Sequence, residues 1–315
     1  MKAKGFTLVE MVITILIMSI IMGLSGNTFK RVLFGVKEES KSMESNQDKL
    51  LGLELIRLDL EHLGFGIARN TTGKPVEWTD ASRQLTLRST LNNTDQDTLG
   101  WHMINCTSNI VTLSSQEVAS GGTGLSTDIV LLDQDKNFVS NTTYGDTCPD
   151  TKPYLAYPYD NTVTNGCGAA LGGAAGEQYC NRVVYELTAT TLATCAPGTK
   201  TLTRKVGAAA SGDPILNCVA DIIVRFDLDT NGDDTIDSND TAVPPGTTSA
   251  IIDQVKNVDV FILQQIGQKD LEFTFTGDLT LGLPAAVTFN TAGITDFNKY
   301  RWKVIKLSGK PMSWD

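Results

Sequence analysis

A long apolar run opens the chain, and it carries a single carboxylate. Between Phe6 and Gly26 the only ionisable side chain is that of Glu10. A helix needs about twenty apolar residues to cross the hydrocarbon core of a bilayer, and this run is long enough. A charge in that core costs about 2.5 to 3.5 kcal/mol, so a charged residue there is usually paired or functional. The run therefore predicts a membrane anchor in which the presence of Glu10 has to be explained.

Several explanations for Glu10 follow from its position. It lies near the start of the run, where its carboxylate can reach the membrane interface and the positive end of the helix dipole. A cleaved secretory signal, with small residues at Gly23 and Ser25, does not favour a carboxylate in its core. An uncleaved anchor tolerates the sequence but leaves Glu10 unexplained. Cleavage after Gly5 would instead create an α-amine on Phe6, four residues before Glu10 and on the same helical face.

The segment KGFTLVEMVITILIMS resembles the N-termini of type IV prepilins and of type II secretion pseudopilins. The resemblance implies that residues 1–5 are a leader ending in Gly5, which a prepilin peptidase removes. It implies that Phe6 becomes the N-methylated first residue and that Glu10 is the fifth residue of the mature chain. In that family this glutamate neutralises the N-terminal ammonium of a neighbouring subunit during assembly. Residues 6–26 would then form the transmembrane and assembly half of a long helix.

The same resemblance implies partners and a location. It predicts a single-pass protein of the inner membrane, in contact with membrane lipid and an inner-membrane assembly platform, whose head lies in the periplasm. After processing, the chain would join other major and minor pilins in a pilus at the cell surface. Basic residues lie on both sides of the apolar run, so their distribution favours neither orientation. The predicted topology therefore rests on the resemblance and on the cysteines.

Six cysteines lie beyond the apolar run, and none forms a C-x-x-C pair. An even number is typical of an exported, oxidised domain, so disulfides are predicted. Metal ligation is the alternative, but the cysteine spacing does not support it and the chain has 2 histidines. Connectivity is open, and pairing of neighbours gives Cys167 with Cys180 and Cys195 with Cys218 as the default. The predicted disulfide cysteines are Cys106, Cys148, Cys167, Cys180, Cys195 and Cys218.

After the apolar run, helical periodicity continues and then gives way to strand patterns. Residues 27–64 repeat apolar side chains at helical spacing and end at two glycines, so they predict the exposed amphipathic half of the helix, with its leucines in the core. Residues 65–315 predict a β-rich globular head. The expected fold is α+β, a long N-terminal helix packed on a mainly antiparallel sheet with disulfide-tied loops. The strand-like runs are RQLTLRST, NIVTLSS, TDIVLLD, RVVYELTAT, KTLTRKV, ADIIVRFDLD, VKNVDVFILQQ, LEFTFTG and YRWKVIKL.

A second, looser resemblance runs through the head. The segments LIRLDLEHLGFG, VRFDLDTNGDDTID, VKNVDVFILQQ and YRWKVIKL occur in the order found in large minor pilins of the PilW type. Pseudopilins of the J type share part of this layout. The resemblance implies a minor pilin that helps to start a type IV pilus or forms its tip. The size of the head agrees, since a bulky head is harder to repeat along a thin filament than at its end.

An Asp-rich loop at residues 227–240, DLDTNGDDTIDSND, carries most of the potential metal chemistry of the head. Oxygen ligands alternate around Gly232 as in the first half of a calcium-binding loop. The twelfth position holds Ser238 instead of a glutamate, and a strand pattern precedes the loop, so it is not an EF-hand. A solvated turn between strands is the alternative. Calcium is the one cofactor considered, with Asp227, Asp229, Asn231, Asp233 and Asp237 as its candidate ligands.

Composition and motifs argue against other classes of function. The formal net charge of -10 gives no case for nucleic acid as a partner. The sequence has no nucleophile elbow, zinc-protease helix or phosphate-binding loop, so no enzymatic activity is expected. His62 and His102 are interpreted as structural. Tyr154, Tyr157 and Tyr159 would form either a turn with half-buried rings, which is the favoured interpretation, or a sticky loop for cell adhesion.

The favoured function is therefore that of a minor pilin in type IV pilus assembly, at initiation or at the tip. The nearest alternative is a J-type pseudopilin of type II secretion. An alternative from another class is a membrane-anchored, calcium-binding periplasmic protein that never polymerises. An exported hydrolase is the least favoured of these functions.

Overall fold

The computed structural model describes residues 8–19, 22, 49–93, 98, 100–106, 128–159, 179–190, 192–207, 209–280, 283–285 and 287–311. The chain divides into two compact units, Met1–Leu51 and Gly52–Asp315. Residues 8–19 and 49–61 are helical, as the periodicity predicts, and residues 23–48 of the predicted long helix lie outside the described residues. Within the described ranges, no helix combines the length and the apolar character that crossing a bilayer requires.

The helical residues 49–61 and the turn after them bury one face in the head. Ile56, Leu60 and Leu63 have at most 1% of their surface exposed, as their spacing predicts. The helix ends before Gly64, whose φ of 75° is a left-handed conformation that glycine adopts easily. The leucines of this helical segment were expected to lie in the core, and this expectation is wrong for Leu51, which is 70% exposed. Leu51 lies half a helical turn away from the buried face.

The described strands fall into two antiparallel sheets. The smaller sheet has the order β3-β6-β4-β5, and the larger has the order β1-β2-β7-β8-β9-β11-β12 with β10 paired to β9. Every described pairing is antiparallel, as predicted. The strands are β1 (Val76–Thr79), β2 (Gln84–Ser89), β3 (His102–Asn105), β4 (Asp128–Leu132), β5 (Phe138–Thr143), β6 (Pro153–Pro158), β7 (Asn181–Ala189), β8 (Lys200–Val206), β9 (Asp213–Leu228), β10 (Ser238–Thr241), β11 (Val255–Ile266) and β12 (Arg301–Gly309).

The main core lies between the helical residues and one face of the larger sheet. In β9 and β11, Val224 lies opposite Val260 and Ile222 opposite Ile262, and all four belong to the same buried cluster as Leu60. Alternate residues of a strand point to the same face, so the two long central strands contribute many residues to this buried cluster. This face of the sheet is the one that holds the helix.

A glycine at the end of β12 lets the helix approach the sheet closely. A Cβ atom added to Gly309 would lie 2.4 Å from the Cβ of Leu60. Side chains in well-packed cores leave no room for an extra methyl group at such a point. The spacing between helix and sheet therefore depends on the absence of a side chain at this position.

The opposite face of the larger sheet is covered by irregular residues of the described ranges 267–280, 283–285 and 287–300, which include the short 3-10 helix Phe297–Lys299. LEFTFTG was expected to form a strand here, and that expectation is wrong. Its alternating rings do pack inward, since Phe275 contacts Phe297 edge to face with the ring centroids 5.8 Å apart. Two of its carbonyl oxygens, those of Leu271 and Phe273, accept hydrogen bonds from the Lys299 ammonium at 3.1 and 3.2 Å instead of from the backbone of a neighbouring strand.

The smaller sheet was not predicted. The tyrosine-rich segment PYLAYPYD, expected to be a turn, contains the inner strand β6. Tyr154 and Ala156 point inward and are almost fully buried, which is the period-two pattern of a strand. Pro153 and Pro158 lie at the two ends of β6, where a missing backbone donor is tolerated.

Disulfides tie the head as expected. Cys195 is bonded to Cys218, the predicted pair, and Cys106 is bonded to Cys148. Cys180 is disulfide-bonded as well, and its predicted partner Cys167 lies outside the described residues. Every cysteine in the described part of the chain is therefore oxidised.

Candidate functional site

Residues 8–19 form an apolar helix with no buried face in the chain itself. All twelve residues of this range are exposed, and Leu8, Met11, Ile15 and Met18 are between 59% and 81% exposed. These four side chains lie on one side of the helix, but Val9, Ile13 and Ile17, which are between 50% and 63% exposed, lie on other sides, so the apolar surface is not a single stripe. A helix that is hydrophobic all round is stable only when lipid or other protein covers it.

The hydroxyl groups of this helix are satisfied inside it. The Thr14 hydroxyl donates to the Met11 carbonyl oxygen at 2.9 Å, and the Ser19 hydroxyl donates to the Ile15 carbonyl oxygen at 2.8 Å. Each hydroxyl can therefore enter an apolar environment without losing a hydrogen bond to water. Glu10 is the ionisable residue of the segment. The predicted processing residues Gly5 and Phe6 lie outside the described residues.

A buried carboxylate joins the second helical segment to the larger sheet. Asp59 and Arg204 of β8 have side chains that are only 4% and 3% exposed. Arg204 donates from Nε to Asp59 Oδ2 at 2.7 Å and from Nη2 to Asp59 Oδ1 at 3.1 Å. Tyr185 of β7 donates its hydroxyl to Oδ2 at 2.5 Å, and Asn93 donates from Nδ2 to Oδ1 at 2.7 Å. We call Asp59, Asn93, Tyr185 and Arg204 the Asp59 network.

Electrostatics within the Asp59 network favours the ion pair. Burial, together with the charge of Asp59, raises the pKa of the Tyr185 hydroxyl well above its ordinary value, so Tyr185 stays a neutral donor. Burial lowers the pKa of Arg204, but the hydrogen bond and charge of Asp59, together with those of Tyr185, outweigh it and the net effect is a raised pKa. The carboxylate accepts four hydrogen bonds, and this compensates for its removal from water.

The Asp59 network was not predicted from the sequence. Asp59 occurs in the quoted segment LIRLDLEHLGFG, where it lies on the same helical face as Ile56 and Leu63. An aspartate on the apolar face of an amphipathic helix indicates a buried partner, and that signal was available. His62, interpreted as structural, lies beside the network with its Nδ1 atom 2.8 Å from Asn93 Oδ1.

The Asp-rich loop is a turn held by its own carboxylates. Asp229 is 1% exposed and accepts from the backbone N–H groups of Gly232 and Asp234 at 2.7 and 2.9 Å. Burial raises the pKa of Asp229, but the backbone donors together with the charge of Lys256 outweigh burial and lower the pKa overall. Asp237 accepts from the backbone and hydroxyl of Thr230. The Asp-rich loop thus satisfies many of its oxygens internally.

Other candidate calcium ligands point to separate partners. Asp227 accepts from the backbone of Asp240 at 3.0 Å and from the Asn257 side chain at 3.1 Å. Asp233 accepts from the backbone of Thr235 at 2.9 Å, and Asn231 accepts from the backbone of Asp233 at 3.0 Å. In the ranges that the structure describes, no three acidic, histidine or cysteine side chains are grouped as a metal site would need.

A lysine supplies positive charge to the Asp-rich loop. The Lys256 ammonium at the start of β11 lies 2.9 Å from Asp234 Oδ1 and 3.6 Å from Asp229 Oδ2. The hydrogen bond to Asp234 raises the pKa of Lys256, so the ammonium is retained. Lys256 thus offsets part of the repulsion among the aspartates of the loop. Calcium binding stays a prediction, and it would have to compete with Lys256.

Comparison with known proteins gives one match. Residues 1–26 match the family model described as the prokaryotic N-terminal methylation motif, which is the type IV pilin signature. The chain therefore has the N-terminus of a type IV pilin-like protein, a class that includes subunits of pili and pseudopili. This signature implies membrane anchoring, processing by a prepilin peptidase and assembly with other pilins. No curated protein and no solved structure matches the chain.

Proposed function

We propose that this chain is a minor pilin that helps to start or cap a type IV pilus. The observation that carries the proposal is the pilin signature at residues 1–26. The helical residues 8–19 support it, because they are exposed and apolar on all sides and need lipid or other helices to cover them. A chain with such an N-terminus has one surface for the membrane and for assembly, and a separate folded head.

Three residues carry the proposed processing and docking. Cleavage after Gly5 leaves an α-amine on Phe6, and N-methylation keeps that amine charged at neutral pH. In the filament, Glu10 pairs with the ammonium of a neighbouring subunit. Two opposite charges in an apolar environment attract strongly, whereas removal of either one strands the other.

The large head supports a minor role. The unit Gly52–Asp315 contains two sheets, an irregular cover and at least two disulfides. Repeating a head of that size at every position of a thin filament is sterically harder than placing one at its end. Within this unit the Asp59 network holds helical residues 52–61 to the larger sheet.

The test compares leader removal with incorporation into sheared filaments for three variants. Glu10→Ala should be cleaved normally but should not be incorporated, because the neighbour's ammonium would lack a partner. Gly5→Val should not be cleaved. Thr14→Ala is the matched control: its hydroxyl bonds only within the helix among the described contacts, so both steps should be normal. Normal incorporation of Glu10→Ala would contradict the proposed role of the carboxylate.

Gene deletion separates this function from its alternatives. Loss of pili with normal protein secretion supports a minor pilin. Loss of secretion with normal pili would instead indicate a pseudopilin, which has the same N-terminal signature. Retention of both would indicate a membrane-anchored protein that does not polymerise, such as the calcium-binding alternative.

A further inference from the structure

β12 is the longest edge strand of the described sheets. It has nine residues and pairs on one side with β11, whereas the other described strands with a single partner, β1, β3, β5 and β10, have four to six. Among the described residues, none outside β11 forms a hydrogen bond with a backbone group of Arg301–Gly309. Every second residue of an antiparallel edge strand directs its N–H and C=O groups away from its partner. The outer side of β12 therefore presents backbone donors and acceptors to another strand.

The next longest edge strand, β5, is protected by the chain itself. At its start, the backbone N–H of Phe138 donates to Asn70 Oδ1 at 2.7 Å, and at its end that of Thr143 donates to Asp146 Oδ2 at 3.0 Å. Its sequence, FVSNTT, is also mostly polar. Proteins commonly protect exposed edges against pairing with other chains. β12 lacks such side-chain bonds to its backbone, and this distinguishes it from β5.

Apolar side chains reach the outer edge on both faces of β12. Val304 packs against the buried cluster under the irregular residues, and Ile305 and Leu307 pack against the main core. All three are partly exposed, although Ile262 and Val260, which lie opposite Ile305 and Leu307 in β11, are fully buried. A further strand beside β12 would cover these side chains and remove apolar surface from water.

The charges of β12 distinguish between possible partners. The strand carries Arg301, Lys303 and Lys306 and no acidic residue, in a chain whose formal net charge is -10. The first and last of these have carboxylate partners in the head, whereas Lys303 is exposed and forms no ion pair with a described residue. Two copies of β12 side by side would place like charges against each other, which is destabilising. A strand with acidic side chains would instead meet opposite charges.

We propose that β12 is a docking edge for an extended, acidic segment of another pilin subunit, which adds one strand to the larger sheet. Backbone hydrogen bonds to β12 supply affinity, and the basic side chains select a strand that carries carboxylates. This surface belongs to the head and differs from the apolar N-terminal helix. The partner's being a pilin rests on the proposed function, whereas the docking edge itself does not.

The first test measures amide hydrogen exchange of the full chain in detergent with two synthetic peptides. Each peptide has about ten residues, enough to span β12, and has blocked ends. One alternates valine with glutamate, and the other alternates valine with lysine. The glutamate peptide should slow exchange several-fold in residues 301–309 and leave β5 unchanged, because outward N–H groups of β12 become hydrogen-bonded. The lysine peptide should have no effect.

Two charge reversals provide a matched pair. Lys303→Glu should weaken binding of the glutamate peptide several-fold and strengthen that of the lysine peptide. Lys200→Glu is the control, because Lys200 is also exposed but begins β8, which has a strand on each side; it should change neither. Unchanged exchange in residues 301–309, equal protection by the two peptides, or equal effects of the two variants would overturn the docking edge.

A crosslinking experiment in cells tests the partner. A photocrosslinking amino acid in place of Lys303 should join the chain to a second protein, and mass spectrometry should show that this protein has a pilin N-terminus and an acidic segment. No crosslink, or a crosslink to a second copy or to a protein without that N-terminus, would overturn the pilin partner. The peptide experiment needs no filament, so its outcome is independent of the Glu10→Ala incorporation experiment that tests the proposed function.

Discussion

The Asp59 network makes a quantitative prediction about the link between the helix and the head. Arg204→Ala would leave the Asp59 carboxylate buried with two neutral donors, Tyr185 and Asn93. Removing one partner of a buried ion pair typically costs about 3 to 5 kcal/mol, because the remaining charge is uncompensated. The side chains of Asp59 and Arg204 are 4% and 3% exposed, so solvent cannot screen the loss. We expect a cost in that range for the free energy of unfolding.

Tyr185→Phe tests the same site more gently. This substitution removes one hydrogen bond to a charged acceptor and keeps the ring, so its expected cost is about 1.5 to 3 kcal/mol. Asp59→Leu combined with Arg204→Met replaces both charges by apolar groups. The double variant should be less destabilised than the sum of the two single changes, because neither charge is left unpaired.

The assay is urea unfolding of the full chain in detergent, followed by tryptophan fluorescence. Arg57→Ala is the matched control, because Arg57 is in the same helical segment and pairs with Glu54, but its side chain is 42% exposed. Exposed ion pairs contribute little. The midpoint should fall strongly for Arg204→Ala with an unchanged slope, and hardly at all for Arg57→Ala. Equal shifts for the two variants would refute the reasoning.

Three further predictions follow from the same structure. The pKa of the Tyr185 hydroxyl is raised in the folded chain, so near pH 10 the unfolded chain loses this proton while the folded chain keeps it. The free energy of unfolding, measured from urea midpoints, should therefore fall as pH rises above about 10, and it should fall less steeply for Tyr185→Phe. Gly309→Ala should cost about 1 to 3 kcal/mol by overpacking, whereas Gly246→Ala, with open space around it, should leave the melting temperature unchanged. Millimolar calcium should raise the melting temperature more for Lys256→Met than for the wild type, and Asp229→Ala should abolish the shift. Equal shifts for Lys256→Met and the wild type would indicate that Lys256 does not compete with calcium.

Long strands with strong β-branched patterns could be predicted from sequence. Seven of the predicted runs coincide with β2, β4, β7, β8, β9, β11 and β12, because their alternating apolar residues build the buried faces of the sheets. NIVTLSS lies outside the described residues. β1, β3 and β10 were missed because each has four residues, which is too short for a period to be recognised. β5 was missed because FVSNTT is mostly polar and half-buried throughout.

The N-terminal site could be predicted more completely than the head sites. Its signal is local, since Gly5, Phe6 and Glu10 lie within one short segment. The Asp59 network depends instead on residues that are 126 and 145 positions apart in the sequence. Helical periodicity could identify Asp59 as buried, but only the tertiary fold identifies Arg204 as its partner. Lys256 was overlooked for the same reason, since it reaches the Asp-rich loop from the neighbouring strand.

The two helical segments use apolar residues differently, and this difference separates assembly from folding. Residues 8–19 have no buried face in the chain, so the free energy gained by covering them comes from lipid or from other subunits. Residues from Gly52 onward bury one face in the chain's own core, and the Asp59 network completes that contact. Glu10 and Asp59 also belong to different compact units.

Substitutions in the two units should therefore have opposite effects on two measurements. Glu10→Ala should abolish incorporation into filaments but leave the urea midpoint of the head unchanged, since the carboxylate makes its proposed contact with another subunit. Arg204→Ala should lower the midpoint but leave leader removal intact, because the predicted cleavage position belongs to the other compact unit. A lowered midpoint for Glu10→Ala would show that the carboxylate stabilises its own chain. Blocked leader removal for Arg204→Ala would show that processing depends on the folded head, and either result would contradict the separation.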